Sequence, residues 1–180
     1  MSEVSCRAFS FFIEAEKRGL IVVDELLAGQ PLTRAELDTA SGRVPWDQWA
    51  ELCDRFAAKV GSDDMLVQSG EFVLAEGFMG YLVKVVGLVT DPRQLYEVMA
   101  RWAGPSLYRS VEFTLEPLAD TRSLLFTARL RPGFRGCRSW FLMAQGALAS
   151  IPRVLGMPDA VVERLELAGQ GGAFRVTPPP

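Results

Sequence analysis

Residues Ser123–Gly156, SLLFTARLRPGFRGCRSWFLMAQGALASIPRVLG, decide the fold class of this chain. Apolar residues alternate with polar ones as far as Leu130, which predicts a β-strand. A turn follows at Gly133–Gly136, and the helix predicted over Cys137–Ile151 is apolar on most of its sides. Because such a helix must pack on more than one face, we expect it to lie inside the fold.

Strands are predicted on both sides of this helix. Residues 107–116 alternate in the same way and, with the strand that follows a turn at Pro117–Thr121, predict an antiparallel hairpin. Val161–Ala168 and Ala173–Thr177, joined by four residues that include three glycines, predict a second hairpin. The second half of the chain therefore has the order strand-strand-helix-strand-strand, with a four-stranded antiparallel sheet.

The first half is predicted to be helical, which makes the fold class α+β. Pro45–Val60 carries apolar residues at steps of three and four, which predicts an amphipathic helix. Ser62 is a suitable cap for a helix over Asp63–Ala75, and Asp91-Pro92 is a typical start for another, with Leu95, Val98, Met99 and Trp102 on its inner face. The shorter predicted helices are Cys6–Lys17, Leu20–Leu27 and Leu32–Asp38, followed by a polar linker over Thr39–Val44.

The first predicted helix is apolar almost all round, at Phe9, Phe11, Phe12 and Ile13. Two interpretations stay open for these residues. They are buried inside one chain, or they form the contact of a homodimer. Since one buried face cannot use so much apolar surface, we predict a homodimer with this helix in its contact.

Length and charge limit the domain count and the partners. A chain of 180 residues suits one domain, predicted over residues 1–177, with residues 178–180 as the start of a linker to an output domain. The formal net charge is −3 without a block of like charge, which argues against binding to nucleic acid or an anionic membrane. The apolar run Phe78–Val89 is too short for a membrane span and is predicted to be a buried helix. No signal peptide is recognised, so we expect a cytoplasmic protein.

The chemistry that the chain can perform is restricted because it contains no histidine. Ser-His and Cys-His nucleophile pairs are therefore excluded, and the three widely spaced cysteines do not form a metal-binding motif. The carboxylates of Asp47, Glu51 and Asp54 fall on the solvated face of a helix. We expect no enzyme activity and no metal site.

Three stretches, taken in order, resemble the haem nitric-oxide/oxygen-binding (H-NOX) sensor domain. They are VPWDQWAELCDRFAAKVG followed by LVQSGEFVL, then VGLVTDPRQLYEVMARW, then SLLFTARLRPGF with the helix after it. The pattern is also similar to histidine-lacking relatives of that family, found in myxobacterial signalling proteins and as amino-terminal domains of AraC-type regulators, diguanylate cyclases and histidine kinases. The resemblance implies an H-NOX-like fold and a sensory role.

Two departures from the family concern its haem. The imidazole that binds iron in the family would come from the helix corresponding to Leu95–Trp102, and this chain has none. The Tyr-x-Ser-x-Arg motif that holds the haem propionates would fall at Ala128-Arg129-Leu130-Arg131, where the Tyr and the Ser are missing. We therefore expect a haem-free domain with no cofactor.

The resemblance also implies a ligand pocket in the space that haem occupies in the family. Its predicted walls are Phe78, Met79, Leu82, Val86, Val98, Met99, Trp102, Trp140, Phe141 and Ala144. Arg131, or Arg129 with a shifted register, is the candidate partner for a ligand carboxylate at the mouth. We expect a lipid-like or aromatic ligand. The alternative is that Trp102, Trp140 and Phe141 have collapsed into the space.

Cys137 is a separate candidate, for redox sensing. It lies at a predicted helix start between Arg135 and Arg138, a setting that lowers a thiol pKa, and the alternative is a plain buried cysteine. The arginines near it are either a solvated end of the hairpin or an anion site.

Taken together, the sequence predicts a non-catalytic sensory or regulatory domain of a bacterial signalling protein that binds a small, mostly apolar ligand without haem. The alternative is a protein-interaction or dimerisation module with a filled core.

Overall fold

A computed structural model of the chain describes residues 2–39, 41–74, 91–119 and 122–180. As predicted, the fold is α+β, with helices first and a four-stranded antiparallel sheet in the second half. The helix predicted over Phe78–Val89 lies outside the described residues. Within those residues, no helix has the length and apolar character needed to cross a bilayer.

The first 60 residues form short elements around one long helix. A 3-10 turn at Cys6–Phe9 leads into the first helix, and the polar linker predicted over Thr39–Val44 contains a strand that pairs antiparallel with the start of the chain. The elements are β1 (Val4–Ser5), α1 (Ser10–Lys17), α2 (Val23–Leu27), α3 (Arg34–Leu37), β2 (Arg43–Val44) and α4 (Trp46–Val60). The long helix α4 has the predicted bounds to within one residue.

The aromatic residues of the first helix are buried inside the chain. Phe11 and Phe12 both pack on Phe56 of α4, with ring centroids 5.3 and 5.8 Å apart, and Phe9 packs on Phe12. Phe9, Phe11 and Phe12 are all buried, and Ile13 packs partly buried against the same core. The first of the two interpretations is therefore correct for these side chains. The apolar surface that suggested a homodimer contact is covered within the monomer.

Two further helical stretches complete the described helical half. Ser62 caps α5 (Asp63–Ser69) by accepting a hydrogen bond from Met65 N, and a 3-10 turn at Gly70–Leu74 replaces the rest of the predicted helix. Asp91 caps α6 (Pro92–Val98) as expected, since its carboxylate accepts from Arg93 N.

The chain between α6 and the sheet differs from the prediction. Met99–Ala103 is a turn of π-helix, in which Gly104 N donates to Met99 O, five residues earlier. The helix α7 (Gly104–Leu107) follows. Leu107 therefore belongs to a helix rather than to the first strand, which begins at Val111.

The sheet has the order β3-β4-β6-β5. Its strands are β3 (Val111–Pro117), β4 (Leu124–Leu130), β5 (Val161–Ala168) and β6 (Gly171–Thr177). Both predicted hairpins form, although β6 begins at Gly171, two residues before the predicted start. In β4 the side chains of Phe126 and Ala128 are buried toward the helices, whereas Arg129 is exposed.

The last helix, α8 (Arg138–Ser150), lies between the helical half and the sheet, as its apolar sequence predicted. It approaches the end of α5 and the turn after it so closely that only glycine fits. A Cβ built on Gly146 would lie 1.6 Å from Val67 O, and one on Gly70 would lie 2.3 Å from Met143 O. The two backbones are in direct contact there, and this contact fixes the position of α8.

The glycine contact generates a prediction about stability. Gly146→Ala places a methyl group against the Val67 carbonyl, so the two segments must separate, and we expect a loss of about 3 kcal/mol or more in the free energy of unfolding. Urea denaturation measures the loss. Gly169→Ala is the matched control, because its Cβ would meet nothing closer than 3.7 Å. Equal stabilities for Gly146→Ala and the wild type would contradict the close contact.

Candidate functional site

A cavity of about 70 Å³ lies where the helical half meets the sheet. Its wall is made almost entirely of carbon atoms, and none of the described residues that line it is charged. Six of the lining residues described carry aromatic rings, namely Phe11, Trp49, Tyr108, Phe113, Phe126 and Trp140.

The helix α8 supplies one side of the cavity through regular spacing. Trp140, Ala144, Ala147 and Ile151 follow one another at steps of three and four, so they share a helix face, and all four line the cavity. The opposite face carries Gly146, which touches the chain after α5. The tight contact on one side therefore turns the other face of the helix toward the sheet.

The strands and the buried end of α7 supply the other side. Phe113 and Phe126 are inward residues of neighbouring strands, with ring centroids 6.1 Å apart. Tyr108 follows α7 and packs edge-on against Trp140 at 4.9 Å. Burial raises the pKa of Tyr108 well above its usual value, and the neighbouring Trp140 indole opposes this with a smaller effect. The phenol therefore stays protonated at any physiological pH.

Some of the predicted wall residues line the cavity in the structure, and others do not. Met99, Trp140 and Ala144 line the cavity. Phe141 is fully buried and packs against Trp140, but it is core rather than wall. Val98 packs on a small cluster formed by Ala103 and Leu107. Phe78, Met79, Leu82 and Val86 lie outside the described residues.

Trp102 was predicted as a wall residue, and this prediction is wrong. Its side chain is 72% exposed. The cause is the π-helical turn, which acts as a one-residue insertion into a helix with 3.6 residues per turn. Ala103 takes the inward place that a regular helix would give to Trp102, and Ala103 is buried.

The two arginines predicted at the pocket mouth point away from the cavity. Arg129 and Arg131 share one side of the chain, as expected from their spacing, but it is the outer side of the sheet. Arg129 forms an ion pair with Glu166 at 3.0 Å, and Arg131 lies 3.6 Å from Glu112. Neither guanidinium can therefore receive a carboxylate from a ligand in the cavity.

The other two arginines of the predicted cluster are also paired. Arg135 contacts Asp54 at 2.5 Å, and Arg138 contacts Asp63 at 2.5 Å. These pairs join the turn before α8 to α4, and the first residue of α8 to α5. The arginines are thus a solvated set of ion pairs between elements rather than a converging anion site.

Cys137 is the N-cap residue of α8, as the sequence suggested, and it is only 1% exposed. Sequence reasoning missed its partner, the thiol of Cys53 on α4. A hydrogen bond from Cys53 lowers the pKa of Cys137, with burial acting against it, while burial raises the pKa of Cys53. The lowered pKa of Cys137 is typical of a reactive thiol, but a reagent cannot easily reach a thiol that is so deeply buried. The redox role stays a prediction.

Several wall residues were not predicted, although the sequence holds partial signals for them. Phe126 is an inward residue of the alternating strand, and Ala147 and Ile151 continue the helix face of Trp140. Trp49 falls on the apolar face of α4. None of these patterns tells which part of a buried face borders a cavity, since that depends on contacts between distant segments.

The described wall does not fit a haem group. The macrocycle is many times larger than the cavity, and the aromatic rings of Trp140 and Tyr108 fill the junction. Iron ligation by tyrosine requires the phenolate, which burial of Tyr108 disfavours. Nowhere in the described ranges do three His, Cys, Asp or Glu side chains converge as metal ligands.

Solved structures provide the comparison with known proteins, since neither a protein-family model nor a curated protein matches the chain. An H-NOX protein from S. oneidensis in the Fe(II)NO ligation state superposes with a TM-score of 0.69 at 13% identity, covering 97% of this chain and 100% of its own. This chain has an H-NOX-like fold.

Two further solved proteins agree. The H-NOX protein from K. algicida, in the unliganded Fe(II) state, gives a TM-score of 0.61 at 16% identity, covering 96% of this chain and 94% of its own. A mutant of the H-NOX protein from T. tengcongensis gives 0.63 at 13% identity, covering 95% and 94%. The H-NOX-like fold extends over nearly the whole chain, while the low identity leaves room for a different site chemistry.

Burial of the cysteines generates a prediction about thiol reactivity. Cys6, Cys53 and Cys137 are all buried, so we expect fewer than one thiol per native chain to react with an aromatic disulfide reagent before urea is added. Absorbance of the released thiolate measures the reaction, and Cys137→Ser is the control. Rapid reaction of one thiol that disappears in Cys137→Ser would contradict the prediction and support the redox role.

Proposed function

We propose that this chain is a non-catalytic sensory domain of a bacterial, cytoplasmic signalling protein and that it binds a small, mostly apolar ligand without haem. The observation that carries the proposal is the uncharged cavity between the helical half and the sheet. A ligand there touches α8, the sheet and the π-helical turn at the same time. Its binding would couple the two halves of the fold.

The energetics of the cavity support a ligand. Unfilled apolar volume costs stability at ~24 cal/mol per Å³, which is about 2 kcal/mol for this cavity. A molecule that fills the space recovers part of this free energy through contacts with the wall. Only a ligand that binds the folded state gives this stabilisation, so occupancy would raise the melting temperature.

The size of the cavity restricts the ligand. A cavity of about 150 Å³ accepts benzene, and one water takes up about 30 Å³ of liquid volume. A space of about 70 Å³ therefore suits a molecule with roughly three or four heavy atoms. The lipid-like or aromatic ligand expected from the sequence does not fit this volume, and the outward arginines leave no partner for its carboxylate.

Binding without haem is supported by residues on both sides of the junction. The chain has no histidine to bind iron, and rings occupy the space between α8 and the sheet. The solved H-NOX proteins with this fold are described with Fe(II)NO and Fe(II)CO, so their small ligands sit on iron. In this chain, the small ligand would contact the protein directly.

A second function is favoured by one observation, the exposure of Trp102. A large aromatic side chain that is 72% exposed is typical of interaction surfaces, and it suits a protein-interaction or dimerisation module. This alternative needs no ligand in the cavity. Ligand binding at the cavity therefore distinguishes the two functions.

The proposal predicts that cyclopropane, a compact apolar probe of three carbon atoms, raises the melting temperature of the full chain. Ala144→Val adds two methyl groups to the wall and should remove this shift while the domain stays folded. Calorimetry in sealed cells measures both effects. Ala149→Val is the matched control, because Ala149 lies on the same helix but does not line the cavity. No shift in the wild type would refute the sensor and favour the interaction module.

A further inference from the structure

The indole nitrogen of Trp49 is a buried donor at the cavity wall. Trp49 is 2% exposed and lines the cavity, and within the described part of the chain its Nε1 finds no acceptor. Three residues earlier on the same helix, Trp46 Nε1 donates to Arg135 O at 2.7 Å. The two tryptophans share a helix face, but only one of them has its donor satisfied.

The surroundings of Trp49 are rigid and aromatic. Its ring lies 5.2 Å from that of Phe12 and 6.1 Å from that of Tyr108. The Tyr108 ring packs more closely on Trp140, at 4.9 Å, than on Trp49. Since the three rings hold one another in place, Trp49 cannot readily turn toward a distant acceptor on the protein.

A buried donor without a partner is unfavourable, because folding removes its hydrogen bond to water and replaces it with nothing. Most buried N–H groups in native proteins are paired, so each exception calls for an explanation. Gln48 Oε1 and Ser110 Oγ are also buried without a described partner, but neither residue lines the cavity. Of these three described residues, Trp49 is therefore the one that both lines the cavity and has a buried donor without a partner.

We propose that the cavity binds a small neutral carbonyl compound whose oxygen accepts a hydrogen bond from Trp49 Nε1. The inference rests on the proposed function, which it deepens by naming the ligand class. The ligand is small because of the cavity volume, and it is neutral because no charged side chain was found among the lining residues described. It carries an acceptor because, among the lining residues described, Trp49 has a buried donor without a partner.

Acetone and 2-methylpropene provide a matched pair of probes. The two molecules have nearly the same shape and four heavy atoms each, but only acetone has an acceptor oxygen. In ¹H–¹⁵N spectra of the full wild-type chain, we expect acetone to move the Trp49 indole proton downfield and 2-methylpropene to leave it near its original position. The Trp46 indole, already bonded to Arg135 O, is the internal control.

Dissociation constants from the same titrations give a second readout. Trp49→Phe removes the donor and enlarges the cavity, and the enlargement affects both probes equally. We expect it to weaken acetone binding about fivefold relative to 2-methylpropene. Comparing the ratio of the two constants cancels the difference in solubility between the probes. The spectra of the wild type decide the question even if the variant does not fold.

The outcomes distinguish a failure of the carbonyl inference from a failure of the proposed function. If both probes bind, but the indole proton does not respond to acetone and the ratio of constants is unchanged, the carbonyl inference is wrong and the sensor stands. The donor is then satisfied by a weaker contact such as the face of the Phe12 ring. If neither probe binds, the proposed function fails together with the inference.

Discussion

Two backbone segments touch without any side chain between them, where Gly70 and Gly146 bring the chain after α5 against α8. No other residue type fits at this crossing, because a Cβ on Gly146 would overlap the Val67 carbonyl. The contact fixes both the position of α8 along its axis and its rotation about that axis. With Gly146 turned toward the helices, Trp140 and Ala144 are turned toward the sheet, and the cavity forms between them.

The aromatic residues then determine how much space is left at the junction. Trp140 packs against Trp46, Tyr108, Phe113 and Phe141, with ring centroids between 4.9 and 6.3 Å. Edge-to-face contacts of this kind stabilise a packed core beyond the simple burial of area. Among the described residues, the cavity that these rings leave at the junction has a volume of about 70 Å³.

The order of the elements could be predicted because it depends on local sequence patterns. The period of α4, the caps Ser62 and Asp91, and the alternation in β4 each depend on residues close in sequence. The fold class followed from them. Even the burial of α8 on several faces could be inferred from its composition alone. The site could be predicted only in part, because it depends on contacts between distant segments.

The residues whose positions were predicted wrongly show which features depend on contacts between distant segments. The spacing of Arg129 and Arg131 showed that they share a side, but only the packing of the sheet decides which side is buried. The π-helical turn that exposes Trp102 has no sequence signal of its own. The contact between Cys53 and Cys137, and the placement of Trp49 at the wall, join residues on different elements.

The absorption spectrum of the purified chain, titrated with haem, tests most directly the claim that this H-NOX-like domain has become a haem-free site. We expect a spectrum that remains the sum of free haem and protein, because the chain has no imidazole and the described rings leave too little space. A sharp Soret band that saturates at one equivalent of haem, and that a single cysteine substitution abolishes, would contradict it.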